Sequence, residues 1–385
     1  MSLDNISIYV HWPFCASKCP YCSFNSYVSK NIDSDKWILA YSTELKRYKD
    51  LLNGKNLQSV FFGGGTPSLA EPRIIGSFLD SLTNYVNFNK NVEITLEANP
   101  STADLNNMFD FRLAGINRVS LGVQSFNDNS LSLLGRNHDV EQAVKMIEIV
   151  SDIFENYSFD LIYALPDQEM VEWLADLSMA MNFVAGHLSL YQLSFDSGTK
   201  FYKEMLLGRM KPKMDEQSAV MYYTTKCFLE SKGFEHYEVS NYSRYGMKCV
   251  HNLNYWTYGE YLGIGPGAAG RIKKNGNVYS TLSISSPSKW LDAACCINNN
   301  NHTVSSALSI KERAIEFVAM NMRINSGFNF QDFNIKVGGK IDDFVNMPRL
   351  ELLQSTNFIN FDGCAISVAE NSRLLTDYIT EYIII

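Results

Sequence analysis

The sequence lacks any apolar run of the ~18 residues that a membrane-spanning helix needs. Its N-terminus also lacks a basic stretch followed by apolar residues, so we expect no secretory signal peptide. Basic residues are the minority, 33 against 41 acidic, and a formal net charge of −8 argues against a general nucleic-acid-binding protein, which normally has a basic face. These absences predict a globular cytoplasmic protein that has no nucleic acid as a partner.

Cysteines are also few, eight in 385 residues, and their placement does not suit a disulfide framework. Cys15, Cys19 and Cys22 form a C-x3-C-x2-C segment, whereas we expect the other five to be small buried hydrophobes. Three thiolates on one short loop can each bind a different iron of a [4Fe–4S] cluster. The fourth iron then lacks a protein ligand, and an open metal position is where a substrate or cofactor binds.

A zinc ion is the alternative occupant of this segment, with His11 as the fourth ligand. Structural zinc sites usually take pairs of ligands from two separate segments, and the sequence shows no second pair. The cysteine spacing therefore favours the iron–sulfur interpretation.

Short β-branched runs alternate with amphipathic stretches through the first half of the chain, which predicts right-handed βαβ units and a parallel sheet. Six strands are fewer than the eight that close a full barrel, so the predicted fold class is α/β with a partial (β/α)6 barrel. The predicted strands are Ser7–Trp12, Ser59–Phe62, Val92–Glu97, Arg118–Gln124, Phe159–Tyr163 and Leu188–Leu193. The predicted helices between them are Asp35–Leu52, Glu71–Tyr85, Ala103–Leu113, Val140–Phe154 and Glu169–Phe183.

Polar and glycine-rich motifs follow the carboxyl ends of these strands. Because those ends converge at one mouth of a parallel barrel, the motifs predict one shared site. The glycines of Gly63–Pro67 would let backbone groups approach a ligand closely, although a tight turn explains them equally well. Glu97, Gln124, Arg136 and Asp160 would bind the amino-acid and ribose parts of a small cofactor, with helix capping and surface ion pairing as the alternative.

The composition predicts three domains: the barrel in residues 1–200, an extension of the sheet edge in 201–300 and a small α-rich domain in 301–385. The later part contains predicted helices Ser218–Ser231 and Lys311–Arg323 and a strand Phe234–Asn241. His251–Trp256 combines a histidine, two amides and two aromatic residues. An imidazole beside flat aromatic surface suits haem, and an ordinary packed loop is the alternative.

Five stretches together resemble the radical S-adenosylmethionine (SAM) superfamily, in the branch of oxygen-independent coproporphyrinogen III dehydrogenase (HemN) and the haem chaperones (HemW). The resemblance implies that SAM chelates the open iron through its amino and carboxylate groups. It also implies that electron transfer from the cluster, reduced by a partner protein, cleaves SAM to methionine and a 5′-deoxyadenosyl radical. The five stretches are Tyr9–Cys22, Gly63–Ser68, Glu97–Pro100, Gly122–Phe126 with Leu134–Arg136, and Asp160–Pro166.

Position by position, the resemblance implies a set of SAM-contacting residues in addition to the three cysteine ligands of the cluster. Ala269 is a further, weaker match, and some members of the set would serve a second SAM in the dehydrogenases. The set is Tyr9, Gly64, Gly65, Thr66, Glu97, Gln124, Arg136 and Asp160.

Two features favour the chaperones over the dehydrogenases. Phe24 stands where the dehydrogenases have a fourth cysteine, and His251–Trp256 fits the H-N-x-x-Y-W signature of the chaperones. The resemblance then implies haem delivery to haem-requiring membrane proteins such as respiratory enzymes, dimerisation linked to the cluster, and His251 at the haem site. The alternative is an enzyme, a dehydrogenase that oxidatively decarboxylates two propionates to vinyls, because the SAM-binding residues are retained.

Overall fold

The structure, a computed structural model, describes residues 4–29, 31–101, 107–296 and 303–385. The strands are Asn5–Trp12 (β1), Phe14–Cys15 (β2), Tyr27–Val28 (β3), Asn56–Gly64 (β4), Glu93–Ala98 (β5), Arg118–Gln124 (β6), Asn156–Tyr163 (β7), His187–Gln192 (β8), Glu235–His236 (β9), Asn241–Ser243 (β10), Tyr261–Ile264 (β11), Ala269–Lys274 (β12), Asn277–Ser283 (β13), Thr303–Ala307 (β14), Phe328–Asn329 (β15), Ile359–Phe361 (β16) and Ala365–Val368 (β17). The α-helices are Ser34–Arg47 (α1), Lys49–Leu52 (α2), Pro72–Leu82 (α3), Met108–Leu113 (α4), Asp128–Leu133 (α5), Val140–Ile153 (α6), Met170–Ala180 (α7), Lys200–Leu206 (α8), Asp215–Ser231 (α9), Val250–Trp256 (α10), Pro287–Cys295 (α11), Ile310–Asn321 (α12), Phe330–Val337 (α13), Met347–Ser355 (α14) and Thr376–Ile383 (α15).

Six strands, β1 and β4 to β8, lie side by side in chain order and are all parallel. This arrangement confirms the α/β fold class and the partial (β/α)6 barrel. All six predicted strands are present, and β6 has the predicted bounds. Six of its seven residues are buried, including the polar Arg118 and Ser120.

The helices between the strands largely follow the prediction. α6 begins at a capping box in which Asp139 and Gln142 satisfy each other's backbone N–H groups. The predicted helix Asp35–Leu52 is divided into α1 and α2 at Tyr48. Part of the predicted helix Ala103–Leu113 lies outside the described residues, and the rest of it contains α4.

One edge of the barrel continues into an antiparallel extension. β11 pairs parallel with β1, and β12, β13 and β14 follow it outwards. The ring of Trp37 on α1 stacks on Trp290 of α11 at 5.3 Å between centroids, so α1 and α11 pack together. Strand β14, from the predicted C-terminal domain, thus belongs to the large sheet, and the two predicted domain boundaries stay a prediction.

Two segments of the later half differ from the sequence prediction. Phe234–Asn241, predicted as one strand, contains β9 and then a turn before β10. His251–Trp256, for which the sequence predicted no regular element, lies in the helix α10. Both elements are short, and their periodicity is therefore too brief to identify them.

The C-terminal part has its own core of buried side chains, among them Phe317, Phe333 and Ile379. It is helical as predicted and also contains a small antiparallel sheet in the order β15-β17-β16. Arg271 of β12 connects the large sheet to the C-terminal part through a bidentate ion pair with Glu316 of α12, with N···O distances of 2.9 and 2.7 Å. Among the described residues, no helix has both the length and the apolarity to cross a membrane.

Candidate functional site

The three clustered cysteines lie on the loop that follows β1, at the carboxyl edge of the parallel strands. All three are half-buried and line one cavity of about 350 Å³. The ammonium of Lys18 donates to the carbonyl oxygens of Phe24 at 3.4 Å and Ser26 at 3.2 Å, which fixes the loop around the thiols. The side chain of Lys18 therefore helps to hold the loop, and the three thiols remain at the wall of an open cavity.

The same cavity brings together most of the residues that the sequence predicted for SAM. Tyr9 does not line it, and the hydroxyl of Tyr9 is 3.0 Å from Nδ1 of His11. Ala269 lies on β12 and His251 on α10, and neither lines the cavity. The predicted residues that line it, besides the cysteines, are Gly64, Gly65, Thr66, Glu97, Gln124, Arg136 and Asp160.

The two glycines of β4 and its turn have a steric role at this cavity. Gly64 has a φ of +114°, and a Cβ at this position would overlap the imidazole of His11. A Cβ on Gly65 would lie 2.5 Å from the carbonyl oxygen of Phe14, next to Cys15. Only glycine therefore lets β4 approach the cysteine loop this closely.

The donor set fits an iron–sulfur cluster better than a single metal ion. A single zinc ion needs ligands that converge on one position. A cube instead needs three separate thiolates, one for each iron. Phe24, at the position of the fourth cysteine in the dehydrogenases, lines the cavity rim and is 64% exposed.

Arg136 connects the cysteine loop to the strand ends. Its Nη1 donates to Sγ of Cys19 at 3.4 Å, and its Nη2 donates to Oδ1 of Asn99 at 2.5 Å and to the carbonyl oxygen of Gly122 at 2.8 Å. Its buried Nε finds no acceptor among the described residues. A buried donor without a partner beside a cavity is suited to a ligand that supplies an acceptor.

Two carboxyl groups face the cavity from β5 and β7. Burial, followed by the neighbouring charge of Asp160, raises the pKa of Glu97 to about 7, although the backbone N–H of Gly64 donates to Glu97 at 3.1 Å. Burial also raises the pKa of Asp160 to about 6, against the opposing effects of the Ser189 hydroxyl and Arg118. A ligand that brings hydroxyl or ammonium donors would stabilise both carboxylates in their charged form.

His251 has a different environment, with 1% of its surface exposed. Its Nδ1 and the hydroxyl of Ser59 are 2.8 Å apart, and its Nε2 is 2.8 Å from the hydroxyl of Tyr255. Ser59 donates its own proton to Ser7, so Nδ1 donates to Ser59 and Nε2 accepts from Tyr255. Burial, aided by the positive charge of Arg118, lowers the pKa of His251 to about 3 and keeps it neutral.

The sequence did not identify two residues that support these regions. Asn99 joins Arg136 to the hydroxyl of Thr66, to which its Nδ2 donates at 2.8 Å, and its place in the Glu97–Pro100 motif was the available signal. Glu93 accepts from the backbone N–H groups of Val250 and His251, each at 3.0 Å, and so fixes the start of α10. No local pattern marks Glu93.

A parallel sheet with a three-cysteine loop beside a polar cavity defines a protein that can hold an iron–sulfur cluster together with a small ligand. Residues 9–180 match the radical SAM superfamily. The chain is 31% identical to the heme chaperone HemW of Haemophilus influenzae, with 98% of both chains covered. It is 35% identical to radical S-adenosyl methionine domain-containing protein 1, mitochondrial, of Dictyostelium discoideum, over 97% of this chain and 93% of that protein.

The fold is shared with a solved structure, that of coproporphyrinogen III oxidase (HemN) from Escherichia coli. The TM-score is 0.82 at 21% identity, with 99% of this chain and 90% of that chain covered. The chain therefore belongs to the radical SAM superfamily, in its HemN/HemW branch, and this confirms the resemblance seen in the sequence.

Proposed function

We propose that this protein is a haem chaperone, which binds haem and transfers it to haem-requiring proteins such as respiratory enzymes. The observation that carries the proposal is Phe24, an exposed apolar side chain at the cavity rim where the dehydrogenases have a fourth cysteine. The similarity to relatives named heme chaperone HemW, at 31–38% identity, supports the same conclusion. In this proposal the protein is located in the cytoplasm.

The cavity would hold the two other groups of the proposal. Cys15, Cys19 and Cys22 would bind a [4Fe–4S] cluster, which supplies an open iron for SAM and an electron for its reductive cleavage. Arg136 would orient the SAM carboxylate through its unpartnered Nε. Gly64 and Gly65 would provide close backbone contacts, and Thr66, Gln124, Glu97 and Asp160 would accept or donate hydrogen bonds around the rest of the ligand.

The haem would bind at helix α10, where Tyr255 and Trp256 are half-buried and present aromatic surface. All five histidines in the described part of the chain are at most 6% exposed, so none of them offers a surface imidazole in this conformation. We infer that His251 contributes to the haem site by holding α10 in place through Ser59 and Tyr255. To ligate the iron directly through Nε2, it would have to give up its hydrogen bond with Tyr255.

Two assays on one anaerobically reconstituted sample test this function. Ferric haem should give a shifted Soret band at stoichiometric concentration, and transfer should follow when an apo-haem protein is added. Coproporphyrinogen III with SAM and a reductant should give no protoporphyrinogen over repeated turnovers. Multiple turnovers to protoporphyrinogen would overturn the proposal in favour of the dehydrogenase, whose fold this chain shares.

A further inference from the structure

Residues 200–213 are strongly basic in a chain whose net charge is −8. They contain five basic residues, Lys200, Lys203, Arg209, Lys211 and Lys213, and one acidic residue, Glu204. Four of the five basic residues are exposed, and Lys213 is half-buried. The single ion pair found for them in the described part of the chain joins Arg209 to Glu204 at 3.7 Å. We call these residues the basic segment.

The basic segment is attached directly to the cysteine loop. The backbone N–H of Phe201 donates to the carbonyl oxygen of Pro20 at 3.0 Å, between Cys19 and Cys22. The residues just before the segment line the cavity, and the hydroxyl of Ser23 donates to the carboxylate of Asp196 at 2.9 Å. The positive charge is therefore held at the edge of the site where an electron would enter.

Apolar side chains accompany these charges. Leu206 and Leu207, at the end of α8, are 67% and 61% exposed, and Phe24 on the neighbouring loop is 64% exposed. Exposed apolar residues surrounded by charged ones are typical of protein-interaction surfaces. A positive surface on a negatively charged protein selects an acidic partner, because long-range attraction then acts only in one orientation.

We propose that the basic segment, together with Leu206, Leu207 and Phe24, is the docking surface for an acidic one-electron carrier protein that contains a flavin or an iron–sulfur centre. The proposal rests on the cluster assigned above. The carrier loses one electron and the cluster gains one, with no bond made or broken. An anionic membrane is the competing partner, but membrane binding gives no reason for the segment to lie against the cysteine loop.

The test compares two triple variants with the same change in charge. Lys200→Glu, Lys203→Glu and Lys211→Glu alter the docking surface, whereas Lys145→Glu, Lys311→Glu and Lys340→Glu change exposed lysines elsewhere. The probes are a purified acidic flavodoxin and vesicles of equimolar phosphatidylglycerol and phosphatidylcholine. Binding is measured at low and high salt, and cluster reduction by photoreduced flavodoxin is followed by stopped-flow absorbance, with dithionite as a small reductant.

We expect the docking-surface variant to be reduced by flavodoxin at least about tenfold more slowly at low salt, with a much smaller change in the rate for dithionite, a small anion of low charge. The control variant should match the wild type, and haem binding should be unaltered in both. Unchanged flavodoxin binding together with lost vesicle binding would overturn the proposal and assign the surface to a membrane. Equal behaviour of the two triple variants toward both probes would overturn it as well. A failure of haem binding alone would concern the proposed chaperone function, not this surface.

Discussion

The cysteine cavity and the surroundings of His251 are both polar, yet their hydrogen bonding differs. At the cavity, the buried Nε of Arg136 lacks an acceptor within the described residues. Gln124 has a φ of +73°, a backbone conformation that residues other than glycine rarely adopt. Around His251, both ring nitrogens have partners, and the carboxylate of Glu93 caps the helix. Unpartnered donors and backbone strain indicate a site that a ligand completes, whereas a satisfied buried cluster stabilises the fold.

We expect the largest effect from replacing a cysteine of the loop. The contrast between the cavity and the surroundings of His251 depends on a metal cluster that binds at the cavity. We expect Cys19→Ala to remove nearly all of the iron and the broad visible absorbance after anaerobic reconstitution. Cys364→Ala, at an exposed position in the C-terminal part, is the matched control and should keep both. A colourless wild-type protein that contained zinc would contradict the iron–sulfur assignment.

Gly64, the last residue of β4, tests whether the close approach of β4 to the cysteine loop matters for stability. Gly64→Ala should lower the free energy of unfolding by about 3 kcal/mol, since it combines an unfavourable φ with overlap on His11. Gly54→Ala is the control, because its φ is +80° but a Cβ there would have no atom within 4 Å. It should lower the free energy of unfolding by only about 1 kcal/mol in urea denaturation. Equal losses for both variants would show that the close approach has no role.

His251→Ala tests the other region of the comparison. We expect it to lower the free energy of unfolding by about 2 kcal/mol, because it leaves the hydroxyls of Ser59 and Tyr255 buried without their partner. Haem affinity should fall because α10 is no longer held in place by His251. The Soret maximum of the haem that still binds should not move. A moved maximum would instead identify His251 as an iron ligand. His236→Ala, another buried histidine on the far sheet edge, should leave haem affinity unchanged.

The two regions also differ in how far the sequence predicts them. The convergence of the cysteine loop, Glu97 and Gln124 was predictable, because each follows a parallel strand or lies at its carboxyl end. Asp160 also lines the cavity, although it lies within β7. The environment of His251 was not, since the residue that fixes its helix, Glu93, lies 158 positions earlier in the chain. Short-range patterns show where strands end, but contacts across the sheet depend on register.

The same limit applies to individual roles at the cavity. Arg136 was predicted as a SAM contact, and its position on the cavity wall agrees with that assignment, which stays a prediction. Its contact with Cys19 depends on how the segment after β6 folds back against Pro20, where Gly135 has a φ of +64°. Sequence spacing does not contain that information.

The smallest effect that we expect is electrostatic and concerns Glu97. Its folded pKa, about 7, lies above its ordinary value of 4.5, so the folded protein binds more protons than the unfolded chain between these values. The contribution of Glu97 to stability should therefore fall as the pH rises through this window, and Glu97→Gln should remove that fall. At about pH 8 the variant should be more stable by about 1 kcal/mol.

Between pH 6 and pH 7 other buried groups also change the slope of stability against pH. The pKa values of Asp160 and Asp176 are raised to about 6 and that of Glu238 is raised, whereas the pKa values of His138 and His251 are lowered. The difference in slope between the wild type and Glu97→Gln therefore isolates the contribution of Glu97. Urea denaturation of the cluster-free protein across that interval gives the slope of stability against pH. We expect the slope to become more positive in Glu97→Gln and to stay at the wild-type value in Glu148→Gln, an exposed helix position on α6. If both variants keep the wild-type slope, Glu97 is hydrated enough to ionise normally. Water then reaches the carboxyl group of Glu97 in the cavity despite its burial. A more positive slope in Glu97→Gln alone would instead show that the cavity disfavours an unpaired carboxylate until a ligand supplies the donors.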